Sequence, residues 1–124
     1  MLRKGIAFCL LLFTVACHEH TAPVEDVQKA TALFVQRLNA QEFEKIYDGA
    51  AKALKDLGRD KVITDLKTVA AKGEIQDYTL VSMPLPEQDK KRLANPVYVL
   101  QGGGRLKLSF VDEDGEWKLV GFER

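Results

Sequence analysis

The spacing of hydrophobic positions changes twice along the chain. Between Ile6 and Ala16 the apolar residues run almost continuously, and Thr14 is the only polar residue among them. From residue 24 to about residue 72 they recur every three or four positions, which is typical of amphipathic helices. From residue 74 onward they alternate with polar residues, as in half-buried strands. The pattern therefore predicts a short apolar leader, a group of helices and then a sheet.

The apolar run has the features of a secretory signal peptide, because Arg3 and Lys4 precede it directly. A transmembrane helix is the alternative interpretation. At about 1.5 Å per residue the run from Ile6 to Ala16 rises roughly 17 Å, well short of a hydrocarbon core of about 30 Å. We therefore predict that residues 1–16 are a signal peptide and that the protein is exported.

The end of this run, Thr14-Val15-Ala16-Cys17, resembles the lipobox of bacterial lipoproteins, in which the cysteine is lipidated and becomes the new N-terminus. Thr14 departs from that pattern, where a leucine-like residue is usual. The resemblance implies acyl chains such as palmitate on Cys17, and a lipoprotein with a membrane anchor in the cell envelope. An ordinary signal peptide cut nearby is the alternative. Cys9 would be removed with residues 1–16, which leaves Cys17 without a disulfide partner.

Residues 17–23 then form the lipidated cysteine and a short tether, and residues 24–124 form a single domain. His18 and His20, the only two histidines, lie on this tether and lack partners in a fixed geometry, so we expect neither a metal nor a cofactor. The chain has 18 basic and 18 acidic residues. Loss of Arg3 and Lys4 would leave the mature part slightly acidic, which argues against a nucleic-acid partner.

The helical part divides into three predicted helices over residues 23–38, 43–57 and 60–72, which stop at Asn39, Gly58 and Gly73. The sheet has four predicted strands, and a charged connection over residues 87–92 follows the first. The strands are Glu74–Met83, Val97–Gln101, Arg105–Val111 and Glu116–Glu123. Because the helices come first along the chain and an antiparallel meander comes last, the sequence predicts an α+β fold. In this fold the N-terminal helices pack on a curved, mostly antiparallel four-stranded sheet.

The hydrophobic pattern also predicts the strand register. Pairing the residues that flank each loop sets Leu100 opposite Leu106 and Phe110 opposite Trp117, and a slip by one residue would mix charges into the apolar face. The predicted core face comprises Tyr98, Leu100, Leu106, Leu108, Phe110, Trp117 and Leu119. The opposite face carries four apolar residues, more than a solvated face needs. They are Val97, Val99, Val120 and Phe122.

Two segments, residues 34–47 and 114–122, resemble the beginning and the final strand of small bacterial domains in the nuclear transport factor two-like superfamily. The resemblance implies a cone-shaped, cystatin-like α+β domain whose mouth can hold a ligand, and it implies no single activity. It also implies pairing through the outer faces of the sheets, so we expect a weak homodimer through the four residues of the opposite face. The candidate pocket-lining residues are Phe34, Tyr47, Tyr78, Tyr98, Phe110 and Trp117.

Some members of that superfamily, such as ketosteroid isomerases and polyketide cyclases, place carboxylates and a tyrosine inside the cone. Here the predicted inner positions contain no acidic, basic or histidine side chain, so a general base is missing. We therefore expect a non-enzymatic binding or scaffolding domain for a small apolar ligand or a protein partner, with no catalytic residue. The alternative is an isomerase-like or hydratase-like enzyme that uses tyrosine and aspartate, for which Asp48 and Asp77 lie next to Tyr47 and Tyr78.

Overall fold

The structure is a computed structural model that describes residues 24–83 and 93–124. The predicted signal peptide, Cys17, the tether and the charged connection lie outside these residues. The described chain has an α+β fold, in which four helices precede a five-stranded antiparallel sheet. The helices are α1 (24–39), α2 (Phe43–Asp48), α3 (Lys52–Lys55) and α4 (Arg59–Ala70). The strands are β1 (Tyr78–Ser82), β2 (Leu93–Ala94), β3 (Val97–Leu100), β4 (Arg105–Glu113) and β5 (Glu116–Glu123).

Helix α1 packs on the sheet through Val27, Thr31, Phe34 and Leu38, which are all buried. Their spacing of three and four residues places them on one side of the helix, as predicted. Asn39, the last helical residue, holds the segment before β1 with its side-chain amide. Its Nδ2 donates to the carbonyl of Ile75 at 2.7 Å, and the N–H of Ile75 donates to its Oδ1 at 3.0 Å.

The predicted helix over residues 43–57 is two helices, so that prediction is wrong at its centre. The break lies at Ala51, whose backbone is extended, with φ −66° and ψ 155°. The N–H of Ala51 donates to the carbonyl of Leu119 in β5 at 2.8 Å. A hydrogen bond to the sheet therefore replaces the helical hydrogen bond that local sequence preference would have formed.

Helix α4 has the predicted extent to within a few residues. It begins after Gly58 and is followed by Gly73, and both glycines have positive φ angles, 103° and 117°. Arg124 closes the C-terminal end of the helix, because its Nη1 donates to the carbonyls of Val69 at 3.2 Å and Gly73 at 2.6 Å. A cation at this end of a helix also complements the helix dipole.

The sheet has five strands because a short strand that the sequence did not predict, β2, precedes the predicted strand over Val97–Gln101, and Asn95 and Pro96 separate the two. β2 and β3 pair with the same side of β4, as Leu93 with Val111 and Val97 with Lys107, so they follow one line with a break at the proline. Proline lacks the N–H that a continuous ladder would use. β1 borders β3 and β5 borders β4, so β1 and β5 lie at opposite edges of the described sheet, and the short β2 pairs only with β4.

The register of each hairpin differs from the predicted one by two residues, so the predicted pairs are wrong although the core face is retained. Leu106 lies opposite Tyr98, because the Leu100 N–H already bonds the Gly104 carbonyl at 3.1 Å. In the next hairpin the loop is only Asp114-Gly115, with φ angles of 56° and 88°, which are typical of a type I′ turn. Phe110 therefore lies opposite Leu119, and Trp117 lies opposite Asp112.

A bulge in the β4–β5 ladder moves the end of β5 to the other face. The register shifts between Ser109 and Phe110, and beyond that point Phe122 pairs with Leu108. The Phe122 ring lies on the core side, with its centroid 6.2 Å from that of Phe34. The predicted face that joined Val97, Val99, Val120 and Phe122 is therefore wrong, since an inserted residue reverses the alternation.

Candidate functional site

The interior between α1 and the sheet contains one chain of polar groups. The Tyr98 hydroxyl donates to Thr31 Oγ1 at 2.8 Å, and the Thr31 hydroxyl donates to the carbonyl of Val27 at 3.0 Å. Among the described residues, Thr31 is the only buried one with a polar side chain apart from the tyrosine. Each hydroxyl of this chain has its partner, so none is left free for a substrate.

Tyr78 packs edge-on against Tyr98, with ring centroids 5.3 Å apart and an interplanar angle of 87°. Burial raises the pKa of the Tyr78 phenol. Burial also raises the pKa of Tyr98, although the hydrogen bond with Thr31 lowers it in part. Both phenols therefore stay protonated at physiological pH, and neither is an activated acid or base.

Tyr47 lies away from these two tyrosines. Its hydroxyl donates to the carbonyl of Lys55 at 3.2 Å, so it fastens α2 to the end of α3. Asp48 and Asp77, the carboxylates next to Tyr47 and Tyr78 in the sequence, are both exposed. The structure thus brings no described carboxylate into the interior beside a tyrosine.

A small cavity lies between α1, α2 and the β4–β5 hairpin, and three of the six predicted pocket residues, Phe34, Phe110 and Trp117, line it. Its volume is about 70 Å³, compared with roughly 300–1,000 Å³ for typical small-molecule pockets. The indole of Trp117 is only half-buried, which gives the cavity an open side. The other lining residues are Ala30, Leu33, Arg37, Ile46, Gly49 and Leu119. This space could hold about two water molecules and no sizeable ligand.

A larger concavity of about 360 Å³ lies between α3, α4 and β5, and we call it the α4–β5 groove. Its apolar wall comprises Leu54, Leu57, Val62, Val69, Val120 and Phe122. Leu57 is 56% exposed at its rim, a high value for a leucine. Sequence reasoning missed this site, because it placed Val120 and Phe122 on the outer face. The available signal was Gly121, since glycine inside a strand often marks a bulge.

Two positively and two negatively charged residues surround the apolar wall of the α4–β5 groove. Lys72 and Arg124 carry positive charge, and Asp65 and Glu123 carry negative charge. The two cations are held in place, since Lys72 Nζ donates to the backbone oxygen of Arg124 at 2.6 Å and the Arg124 guanidinium donates to the carbonyls of Val69 and Gly73. The groove is therefore suited to an apolar occupant more than to a strongly charged one.

Across residues 24–83 and 93–124, no group of three or more His, Cys, Asp or Glu side chains is arranged to hold a metal ion. No helix in the same part of the chain combines the length and hydrophobicity needed to cross a bilayer. No protein-family model matches the chain, and comparison with curated proteins finds no significant relative.

Proposed function

We propose that this chain is a lipid-anchored bacterial envelope protein whose domain binds an apolar partner and performs no chemistry. Acyl chains on Cys17 hold it at the membrane, and the domain over residues 24–124 presents its binding surface close to the bilayer. We also propose that the domain belongs to the nuclear transport factor two-like superfamily. The α+β fold, with helices before an antiparallel meander, is consistent with that assignment.

One observation carries the non-enzymatic part of the proposal. The described interior is apolar except for the Tyr98–Thr31 pair, and that pair is saturated by its own hydrogen bonds. General acid–base catalysis needs a titratable group that can reach a substrate and has its pKa near the working pH. Here burial shifts the pKa of Tyr78 and Tyr98 upward, away from that range.

The α4–β5 groove is the site that supports the binding part. It is about five times larger than the interior cavity, and its walls are apolar with a polar rim, a composition common in ligand and peptide sites. An enzyme that uses tyrosine and aspartate has less support, because Asp48 and Asp77 are exposed and Tyr47 is engaged by Lys55.

The anchor is tested by intact mass of the protein extracted from membranes. We expect loss of residues 1–16 and the added mass of acyl chains, and we expect Cys17→Ser to abolish both. Unmodified protein of full mass in the soluble fraction would contradict the anchor.

Binding at the groove is tested by native mass spectrometry and by cross-linking on the extracted full-length chain. Leu57→Asp places a charge at the groove rim, and Leu33→Asp is the matched control, because Leu33 is also exposed (45%) but lies outside the groove. We expect Leu57→Asp alone to lose the bound species. A wild-type protein that carries no ligand and no partner would contradict the binding role, and equal recovery with both variants would place binding elsewhere.

A further inference from the structure

The outer edge of β1 carries backbone groups that the described chain leaves unpaired. The N–H of Gln101 donates to the carbonyl of Asp77 at 3.0 Å, so residues 77 and 101 form a hydrogen-bonded pair. Hydrogen-bonded and non-hydrogen-bonded pairs alternate along an antiparallel ladder. The Thr79–Val99 pair is therefore hydrogen-bonded, and the N–H and C=O groups of Tyr78 and Leu80 point away from the sheet.

The two edges of the sheet differ in how they are covered. At β5, the N–H of Ala51 in the helical layer donates a hydrogen bond to the carbonyl of Leu119. At β1 the ladder to β3 is the only strand pairing, and no other described residue bonds the backbone of Tyr78 or Leu80. An open edge of this kind is a template for another extended chain.

The side chains of β1 also lack the usual protection of an edge strand. Tyr78–Ser82 contains no charged residue, whereas natural edges commonly carry lysine or another charge. Val81 is 53% exposed, and Val99, which pairs with Thr79 in β3, is 39% exposed. A bulge between Leu80 and Ser82 limits regular pairing to the residues before Val81, so a partner strand would be short.

We propose that β1 pairs antiparallel with β1 of a second copy of this chain, about a two-fold axis at Thr79. In this register Tyr78 faces Leu80 of the second copy, and the two residues exchange both backbone hydrogen bonds on each side of the axis. Thr79 faces its own equivalent as a non-hydrogen-bonded pair. Asp77 and Val81 lie just outside the paired residues, and the arrangement opposes no like charges. The segment is thus complementary to itself, as a two-fold interface requires.

This pairing is distinct from the outer-face dimer expected from the sequence, since it joins sheet edges and leaves the faces uncovered. Four backbone hydrogen bonds and a few exposed side chains make a weak contact between freely diffusing molecules. Anchoring both copies to one membrane raises their local concentration, and this step rests on the proposed lipid anchor.

Cysteine cross-linking on the full-length chain tests the register. In the proposed pair the Cα atoms of the two Thr79 residues would be about 4.5 Å apart, within the range of about 4.4–6.8 Å that a disulfide spans. Val99 is the matched control, because it faces Thr79 across the β1–β3 ladder and is also exposed. Three strand spacings would separate the two Val99 residues by about 14 Å. Cys9→Ser is included in every variant, so that an uncleaved leader adds no thiol.

We expect mild oxidation of membranes to give at least about fivefold more covalent dimer with Thr79→Cys than with Val99→Cys, because disulfide geometry is specific. Equal or stronger cross-linking at Val99 would overturn the edge pairing in favour of contact between outer faces. A cross-link from Thr79→Cys to a different protein would show an edge that takes a foreign strand, and the absence of any cross-link would also refute the proposal.

The same measurement in the Cys17→Ser background separates this inference from the anchor. In detergent-free extracts at high protein concentration we expect the Thr79→Cys dimer to form there as well, in lower yield. Protein with Cys17 intact that fractionates as soluble but still cross-links at Thr79 would overturn the anchor and leave the edge pairing supported.

Discussion

Replacing Tyr98 by phenylalanine removes one hydroxyl from the interior and leaves the ring in place. Tyr98 is 1% exposed, and its hydroxyl donates to Thr31 at 2.8 Å. The ring contact with Tyr78 does not need the hydroxyl, so packing is retained. The loss is therefore one buried hydrogen bond, with a cost of about 1 kcal/mol in the free energy of unfolding.

Replacing the acceptor instead, as Thr31→Val, should lower the free energy of unfolding by more than Tyr98→Phe does. It leaves the Tyr98 hydroxyl buried with no acceptor, for which desolvation costs about 1–3 kcal/mol. The double variant removes both partners, so no polar group is stranded. Its destabilisation should be smaller than the sum of the two single effects by about 1 kcal/mol.

Urea unfolding of the three variants and the wild type checks this cycle, with Trp117 fluorescence as the probe because it is the only tryptophan. For a domain of this size, a loss of 1 kcal/mol lowers the melting temperature by about 4–8 °C. Additive effects in the cycle would refute the idea that the two hydroxyls act as a closed pair. Stability unchanged in Tyr98→Phe would show that the hydrogen bond contributes nothing.

Three further predictions concern stability. Burial raises the pKa of Tyr98 and Tyr78 in the folded state, so tyrosine in the unfolded state ionises at a lower pH. The free energy of unfolding should therefore fall above pH of about 10. Urea titrations at several pH values should show a smaller fall for Tyr98→Phe than for the wild type. Phe110→Ala should lower the free energy of unfolding by about 3–5 kcal/mol and Trp117→Ala by roughly half as much, because Phe110 is 2% exposed and Trp117 is half-buried. Thermal melts followed by circular dichroism that show the larger loss for Trp117→Ala would refute the burial argument. Asn39→Ala should cost about 1–3 kcal/mol by stranding the Ile75 backbone, and Asn39→Asp, which restores only the acceptor, should recover part of the loss in chemical denaturation.

The class of fold and the core face of the sheet could be predicted from the sequence, because both depend on periodicity. Tyr98, Leu106, Leu108 and Phe110 alternate with polar residues, and all four are buried. An error of two residues in each hairpin leaves that alternation intact, so the face was correct although the pairs were wrong.

Features that depend on a single tertiary hydrogen bond or one inserted residue could not be predicted in this way. The break at Ala51 exists because Leu119, far away in the chain, accepts its N–H. The bulge after Leu119 turns Phe122 toward Phe34 and creates one wall of the α4–β5 groove. Of the candidate pocket residues, Phe34, Phe110 and Trp117 line one cavity. Tyr47 lies outside it, and its hydroxyl donates to the Lys55 carbonyl.

The hydrogen bond from Ala51 to Leu119 also means that the helical layer is completed only after the last strand, β5, has been made. The helical layer is joined to the sheet by contacts of long range along the chain, including Thr31 with Tyr98, 67 residues apart, and Lys52 with Glu113, 61 residues apart. Such non-local contacts slow folding, since loop-closure entropy is lost before they form. Until β5 emerges, the segment that begins α3 has no strand to bond, because the partner of the Ala51 N–H is Leu119 of β5. If the chain is exported from its N-terminus, as we propose, its core would be completed only after β5 has crossed the membrane.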